Sequence, residues 1–215
     1  MLKENDSLVQ VKICGLTSMD DVHIIEKYGA DYAGMVLYYP KSRRNIDINL
    51  AAVLVAQLKK SDIKSVAVVV SPDVSQLEAI QNAGFDYIQI HGELSDDVYN
   101  ACSVRIIRAI KHQSEEDIYL ETKRWRSLDK IYGLLFDAGV PGSGKTFDWE
   151  SLKKADCGNK KLFLAGGLTP DNVKAAIEAV RSDVVDISSG VEYDDVSVKG
   201  KDESKVKAFI QNAKF

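Results

Sequence analysis

Three groups of residues in this 215-residue chain have the types and spacing that proton-transfer chemistry on a small anionic molecule requires. The first is Lys12-Ile13-Cys14-Gly15, where a lysine and a cysteine stand two positions apart. On an extended strand such a pair shares one face. A lysine is rarely buried without a partner or a task, and an ammonium beside a thiol favours the thiolate, which would make Cys14 a usable base. The second is Asp137, which closes the apolar run Leu134-Leu135-Phe136. A carboxylate there is costly unless it is paired, solvated or used, and an acid facing a base suits proton transfer. The third is a pair of glycine-bearing turns, Ala165-Gly166-Gly167-Leu168 and Ser188-Ser189-Gly190. Without side chains in the way, backbone N–H groups of such turns can close on an anion, which points to a phosphorylated ligand. Ser42-Arg43-Arg44 adds guanidinium groups able to hold a carboxylate through two hydrogen bonds.

One stretch suggests a different chemistry. Gly139 to Thr146 reads GVPGSGKT and satisfies the nucleotide-binding signature GxxxxGK[ST], with a strand before it. The next strong helix cap, however, is Asp148, beyond Thr146, so no helix begins at the lysine to meet phosphates with its N-terminus. Only two further strands follow, whereas such a loop normally opens its domain. Nucleotide hydrolysis is set aside on both counts.

These groups need a scaffold that brings distant segments to one place, and the chain's alternation supplies it. Short β-branched runs at Val9–Cys14, Tyr32–Leu37, Lys64–Val70, Asp86–His91, Val104–Ile110, Ile131–Asp137, Lys161–Ala165 and Val184–Ser188 read as eight strands. Helical periodicity fills the intervals. Thr17 is expected to cap the first helix, with Asp20 in capping-box position and Gly29 past its end. Further helices are expected from Ser95 to Ala101, from Asp148, from Thr169-Pro170-Asp171 and from Asp202. Eight β-α units admit an open doubly wound sheet or a closed barrel, and the length and count favour a single-domain (β/α)8 barrel spanning 1–215.

The strands also carry polar groups at alternate positions near their ends: Lys12 and Cys14, Gln89 and His91, Asp186 and Ser188. A sheet buried on both faces would show continuous aliphatic runs instead. In a barrel the polar set faces inward and rises to the C-terminal mouth, where such folds keep their chemistry.

Composition narrows the function classes. Apolar residues make up 45 % and charged residues 28 %, the ordinary globular mix, which excludes a disordered chain. The net charge of −4 offers no nucleic-acid or anionic-membrane surface. No apolar run approaches the roughly 20 residues of a membrane span, and the charged start is unlike a secretion signal. Cys14, Cys102 and Cys157 are odd in number and widely separated, as expected of free thiols in a reducing compartment. A cytoplasmic monomer is the expectation.

Taken in order, these segments resemble the phosphoribosylanthranilate isomerase family over nearly the whole chain. Lys12 to Thr17 is similar to the family's KICGLT, Tyr39 to Arg44 to YPKSPR, Gln89 to Gly92 to QLHG, and Asp137-Ala138 to LLDA. Gly142 to Trp149 resembles GGTGKTFDW, which explains the nucleotide-like stretch; Ala165 to Val173 resembles AGGLTPDNV and Val185 to Glu192 resembles VDVSSGVE. The chain departs from these patterns at Arg43, where the family has proline, and at Pro141, where it has glycine.

The resemblance implies an Amadori rearrangement in tryptophan biosynthesis, from N-(5-phospho-β-D-ribosyl)anthranilate to 1-(2-carboxyphenylamino)-1-deoxy-D-ribulose 5-phosphate. It implies Asp137 as general acid on the ribose ring oxygen and Cys14 as general base at C2. Gly166, Gly167, Ser189 and Gly190 would hold the phosphate, Arg44 would face the anthranilate carboxylate, and Asp186 belongs with the substrate-binding residues. No metal or organic cofactor is implied, and His91 reads as a mouth or packing residue.

Rival readings are weaker. A ribulose-phosphate epimerase would need metal-binding histidines at strand ends, and only His23, His91 and His112 are present. An indoleglycerol-phosphate synthase would need further lysine and glutamate catalysts. A dual-function isomerase would carry aspartate at position 14. A phosphate-binding barrel without catalysis would have no use for both Cys14 and Asp137.

Overall fold

In the computed structural model, which describes residues 9–110, 115–137, 149, 152 and 155–214, the alternating runs form eight parallel strands. They are β1 (Gln10–Cys14), β2 (Tyr32–Val36), β3 (Lys64–Val70), β4 (Tyr87–His91), β5 (Arg105–Ile110), β6 (Ile131–Asp137), β7 (Lys161–Ala165) and β8 (Val184–Ile187). Each pairs with the next, and β1 pairs with β8 through Lys12 opposite Asp186, so the sheet closes into the expected barrel. Seven helices are found among the described residues: α1 (Met19–Tyr28), α2 (Ile48–Leu58), α3 (Val74–Asn82), α4 (Asp96–Ala101), α5 (Glu115–Trp125), α6 (Val173–Val180) and α7 (Glu203–Ala213).

Period-two alternation sorts the side chains. Val11, Ile13, Ile88, Ile90, Leu134, Phe136, Val185 and Ile187 point outward and pack beneath the helices in one large core. Their partners Cys14, Tyr32, Val66, Val68, Ile107, Leu135, Phe163 and Val184 fill a second cluster inside the barrel. Interior filling of this kind makes the barrel a packed core open only at its mouth. Its N-terminal floor is aromatic: Tyr32 lies edge-on to Tyr87 and Phe163 at 5.8 and 5.6 Å, and Tyr87 tilts against Tyr132 at 4.7 Å.

One expected cap and one expected helix start are corrected. Ser18, not Thr17, caps α1, accepting the Asp21 N–H at 3.2 Å. Thr17 instead donates its own N–H and hydroxyl to the Asp21 carboxylate, which makes that side chain the organiser of the loop. The regular part of α6 begins at Val173 rather than at Pro170. Thr169 still caps the turn that leads into it, as expected: its hydroxyl accepts the Asn172 N–H at 3.3 Å, and Asn172 Oδ1 accepts the Thr169 N–H at 2.8 Å. Ser95 and Asp202 cap α4 and α7 as expected, and Gly29 ends α1. The helix expected from Asp148 and the GVPGSGKT stretch lie outside the described residues. Among those described, no helix is long and apolar enough to cross a membrane.

Candidate active site

The interior face of β1 carries Lys12, fully buried, and Cys14, nearly so. Both stand over Gly34 of β2, where an added Cβ would come within 2.9 Å of the Cys14 sulfur and 3.0 Å of Lys12 Nζ. Only glycine leaves the two groups that space. Lys12 Nζ donates to Asp186 Oδ2 at 2.9 Å, across the β1–β8 seam. Burial opposes the lysine's charge, but Asp186 and Cys14 beside it outweigh that and hold the ammonium above its ordinary range.

The thiol is pulled in two directions. Lys12 does pull it toward the thiolate, as the spacing suggests, but burial is the larger effect and leaves Cys14 above the usual cysteine range. At neutral pH the resting group is a thiol. The second Asp186 oxygen, Oδ1, is buried and accepts no hydrogen bond. An orphan acceptor costs free energy in a sealed core; this one lines an open cleft.

At the end of β6 the Asp137 carboxylate is exposed to that same opening. On β4, Gln89 Nε2 lies 2.8 Å from His91 Nε2. Burial depresses the imidazole to about 4, against the pull of Asp137, so His91 is neutral at physiological pH. The loop after β7 turns through Gly166 and Gly167 with φ of 88° and 64°, conformations that glycine adopts freely. The loop after β8 makes a single 3-10 turn, Ser189–Val191.

All eight residues singled out from the sequence meet in one place. Cys14, Arg44, Asp137, Gly166, Gly167, Asp186, Ser189 and Gly190 line a single cleft of about 490 Å³ at the C-terminal ends of the strands, together with Gln89, His91 and Leu135. The volume suits a small organic molecule. An exposed carboxylate and a buried thiol thus share one opening, flanked by two backbone-rich loops. Among the described residues no group of three histidine, cysteine, aspartate or glutamate side chains could hold a metal ion.

One feature of the site was not legible beforehand. Arg44 is engaged by Glu192, from Nε at 2.5 Å and Nη2 at 3.0 Å, with Arg43 Nη2 3.7 Å from the same carboxylate. Lys201, fully buried, lies 3.3 Å from Glu192 and also donates to the Ser188 carbonyl. Glu192 stands in the sequence only as the end of the Val185–Glu192 motif, and Lys201 belongs to no motif. Nothing local announces that they meet Arg44, which is 148 positions away from Glu192.

Comparison with known proteins agrees with this geometry. The family described as N-(5'-phosphoribosyl)anthranilate (PRA) isomerase matches residues 11–212. The N-(5'-phosphoribosyl)anthranilate isomerase of Streptococcus mutans is 38 % identical over 208 residues, covering 96 % of this chain and all of that one. The crystal structure of phosphoribosylanthranilate isomerase from Thermotoga maritima superposes with a TM-score of 0.82 at 33 % identity, over 96 % of this chain and 99 % of that one. A crystal structure of such an isomerase in complex with reduced 1-(o-carboxyphenylamino)-1-deoxyribulose 5-phosphate superposes with a TM-score of 0.80 at 31 % identity, over the same shares of the two chains. With the barrel, the cleft and a profile match along nearly its whole length, the chain belongs to the phosphoribosylanthranilate isomerase family.

Proposed function

We propose that the chain converts N-(5-phospho-β-D-ribosyl)anthranilate to 1-(2-carboxyphenylamino)-1-deoxy-D-ribulose 5-phosphate, the Amadori step of tryptophan biosynthesis, with Asp137 as acid and Cys14 as base. The supporting observation is that these two side chains, 123 positions apart, line one cleft beside two glycine loops. Asp137 gives its proton to the ribose ring oxygen as the C1–O bond breaks, leaving a Schiff base between C1 and the aniline nitrogen. Cys14 first releases its thiol proton to the solvent of the open cleft; as thiolate it then takes the proton from C2, and the electron pair moves through C1 to neutralise the nitrogen. The resulting enol-amine loses the proton of its C2 hydroxyl and gains one at C1, which gives the ketone. Atoms and electrons balance without an external oxidant. General acid and base contributions of this kind are each worth roughly 10²–10⁴-fold.

In this reading Lys12 keeps a positive charge beside the sulfur and stabilises the thiolate once it forms. Gly166, Gly167, Ser189 and Gly190 offer backbone donors to the phosphate, Arg44 faces the anthranilate carboxylate, and the orphaned Asp186 Oδ1 accepts a substrate hydroxyl. In this reading the enzyme acts as a single-domain monomer in the cytoplasm. The test is turnover: purified chain added to the fluorescent anthranilate adduct should quench its fluorescence as the product forms. An unchanged signal at micromolar enzyme would refute the assignment. Light scattering at working concentration tests the monomer.

A further inference from the structure

We infer that Glu192 is a positioning residue, one that sets the guanidinium of Arg44 over the mouth so that its remaining N–H groups meet the ligand's carboxylate. The inference deepens the proposed function and rests on it.

The geometry has three parts. Glu192 takes Arg44 by its Nε side, using Nε and Nη2. A guanidinium has five N–H groups in a planar fork, so Nη1 and one Nη2 hydrogen are left over; among the described residues Nη1 has no protein acceptor. That is the pair of donors a second carboxylate would need. Glu192 is also held independently of Arg44. It is buried, Lys201 Nζ lies 3.3 Å away, and Arg43 adds a charge at 3.7 Å. The backbone around it is tied in turn: Lys201 N donates to Asp21, whose other oxygen holds the Thr17 loop. Finally, the Arg44 stem lies across Gly15, where an added Cβ would stand 2.5 Å from its Cδ. The arginine is thus pinned next to Cys14, gripped at one edge and open at the other.

A second role for the same contact makes the opposite prediction. If Glu192 only competed with the substrate's carboxylate for Arg44, removing its charge would tighten binding. The burial of Glu192 and its additional cations favour a fixed anchor, because a competitor must let go.

The test is steady-state kinetics on full-length wild type, Glu192→Gln, Arg44→Ala, the double variant and Arg44→Lys, with folding checked by thermal melting. Glu192→Gln is expected to raise KM about tenfold or more while kcat changes less than about threefold. In the Arg44→Ala background it should add nothing further to KM. Arg44→Lys changes a partly exposed side chain and keeps the interior intact; one ammonium cannot serve both carboxylates as a fork does, so its KM should match that of Arg44→Ala. An unchanged or lower KM in Glu192→Gln, an equal penalty in both backgrounds, or wild-type KM in Arg44→Lys overturns the inference. If Glu192→Gln does not fold, Arg44→Lys alone decides. Wild type that fails to turn over the adduct overturns the proposed function and the inference together. Turnover with a raised KM for Arg44→Ala but not for Glu192→Gln overturns the inference alone.

Discussion

The two ends of the barrel interior solve different problems with the same strands. At the floor, where the strands begin, Tyr32, Tyr87, Tyr132 and Phe163 close the interior, and the hydroxyls find partners: Tyr32 and Tyr132 lie 3.0 Å apart, and Tyr32 donates to Gln10 at 3.2 Å. Burial pushes Tyr87 to about 12 and Tyr32 higher, so both stay neutral across the physiological range. At the mouth the same inward positions hold a buried lysine, a thiol, a depressed histidine and acceptors without donors at Asp186 and Gln89. Satisfied polar groups and large rings stabilise. Unsatisfied ones cost stability and are retained where a ligand will use them. The floor therefore governs folding and the mouth governs chemistry, a division that measurements can break.

The largest effect is expected at the mouth. Cys14→Ala and Asp137→Asn should each lower kcat by about 10²–10⁴-fold while the melting temperature holds. Near-wild-type turnover in either variant would remove that residue from the mechanism. Next comes the floor: Phe163→Ala, at a fully buried position, should cost about 3–5 kcal/mol of stability yet leave KM within about twofold of wild type at temperatures where the protein is folded. A large change in KM would show that the two ends are coupled.

The third prediction separates the ends by pH. Between pH 6.5 and about 4 the unfolded chain protonates His91 while the native site resists. Stability contributed by the neutral imidazole is present above that window and is lost as pH falls through it, by about 1–3 kcal/mol. Urea melts at pH 7 and pH 4.5 should show this loss in wild type and its reduction in His91→Asn; an equal loss in both would assign it elsewhere. The smallest effect belongs to Tyr132→Phe, which deletes one floor hydrogen bond and should cost about 1 kcal/mol with kcat unchanged. A fall in kcat there would contradict the division.

Most of this organisation was legible in the sequence. All eight strands were visible because period-two alternation and β-branched content coincide, and their inward faces followed from the positions of Lys12, Gln89 and Asp186. The two glycine turns, the thiol and the carboxylate stood out because each is unusual at the end of an apolar strand. What stayed hidden depends on pairing between distant segments. Asp21 could cap its own helix or organise a loop, and only the approach of Lys201 decides between them. The hold of Glu192 on Arg44 requires β2 and β8 to be placed around a closed ring, which no local window contains. The environment of Cys14 was legible only in part for a related reason: the spacing reveals the neighbouring ammonium, but the larger effect, desolvation, comes from the whole surrounding barrel.

The most direct test of the central claim is a crystal structure of this chain with the reduced product analogue bound. The phosphate should rest on the backbone of Gly166-Gly167 and Ser189-Gly190. The carbon corresponding to ribose C2 should lie roughly 3–3.5 Å from the Cys14 sulfur, the separation of a near-attack arrangement, with Asp137 on the oxygen that closes the ribose ring. An analogue bound with its phosphate on other loops, or with Cys14 and Asp137 both out of reach of the sugar, would contradict the account.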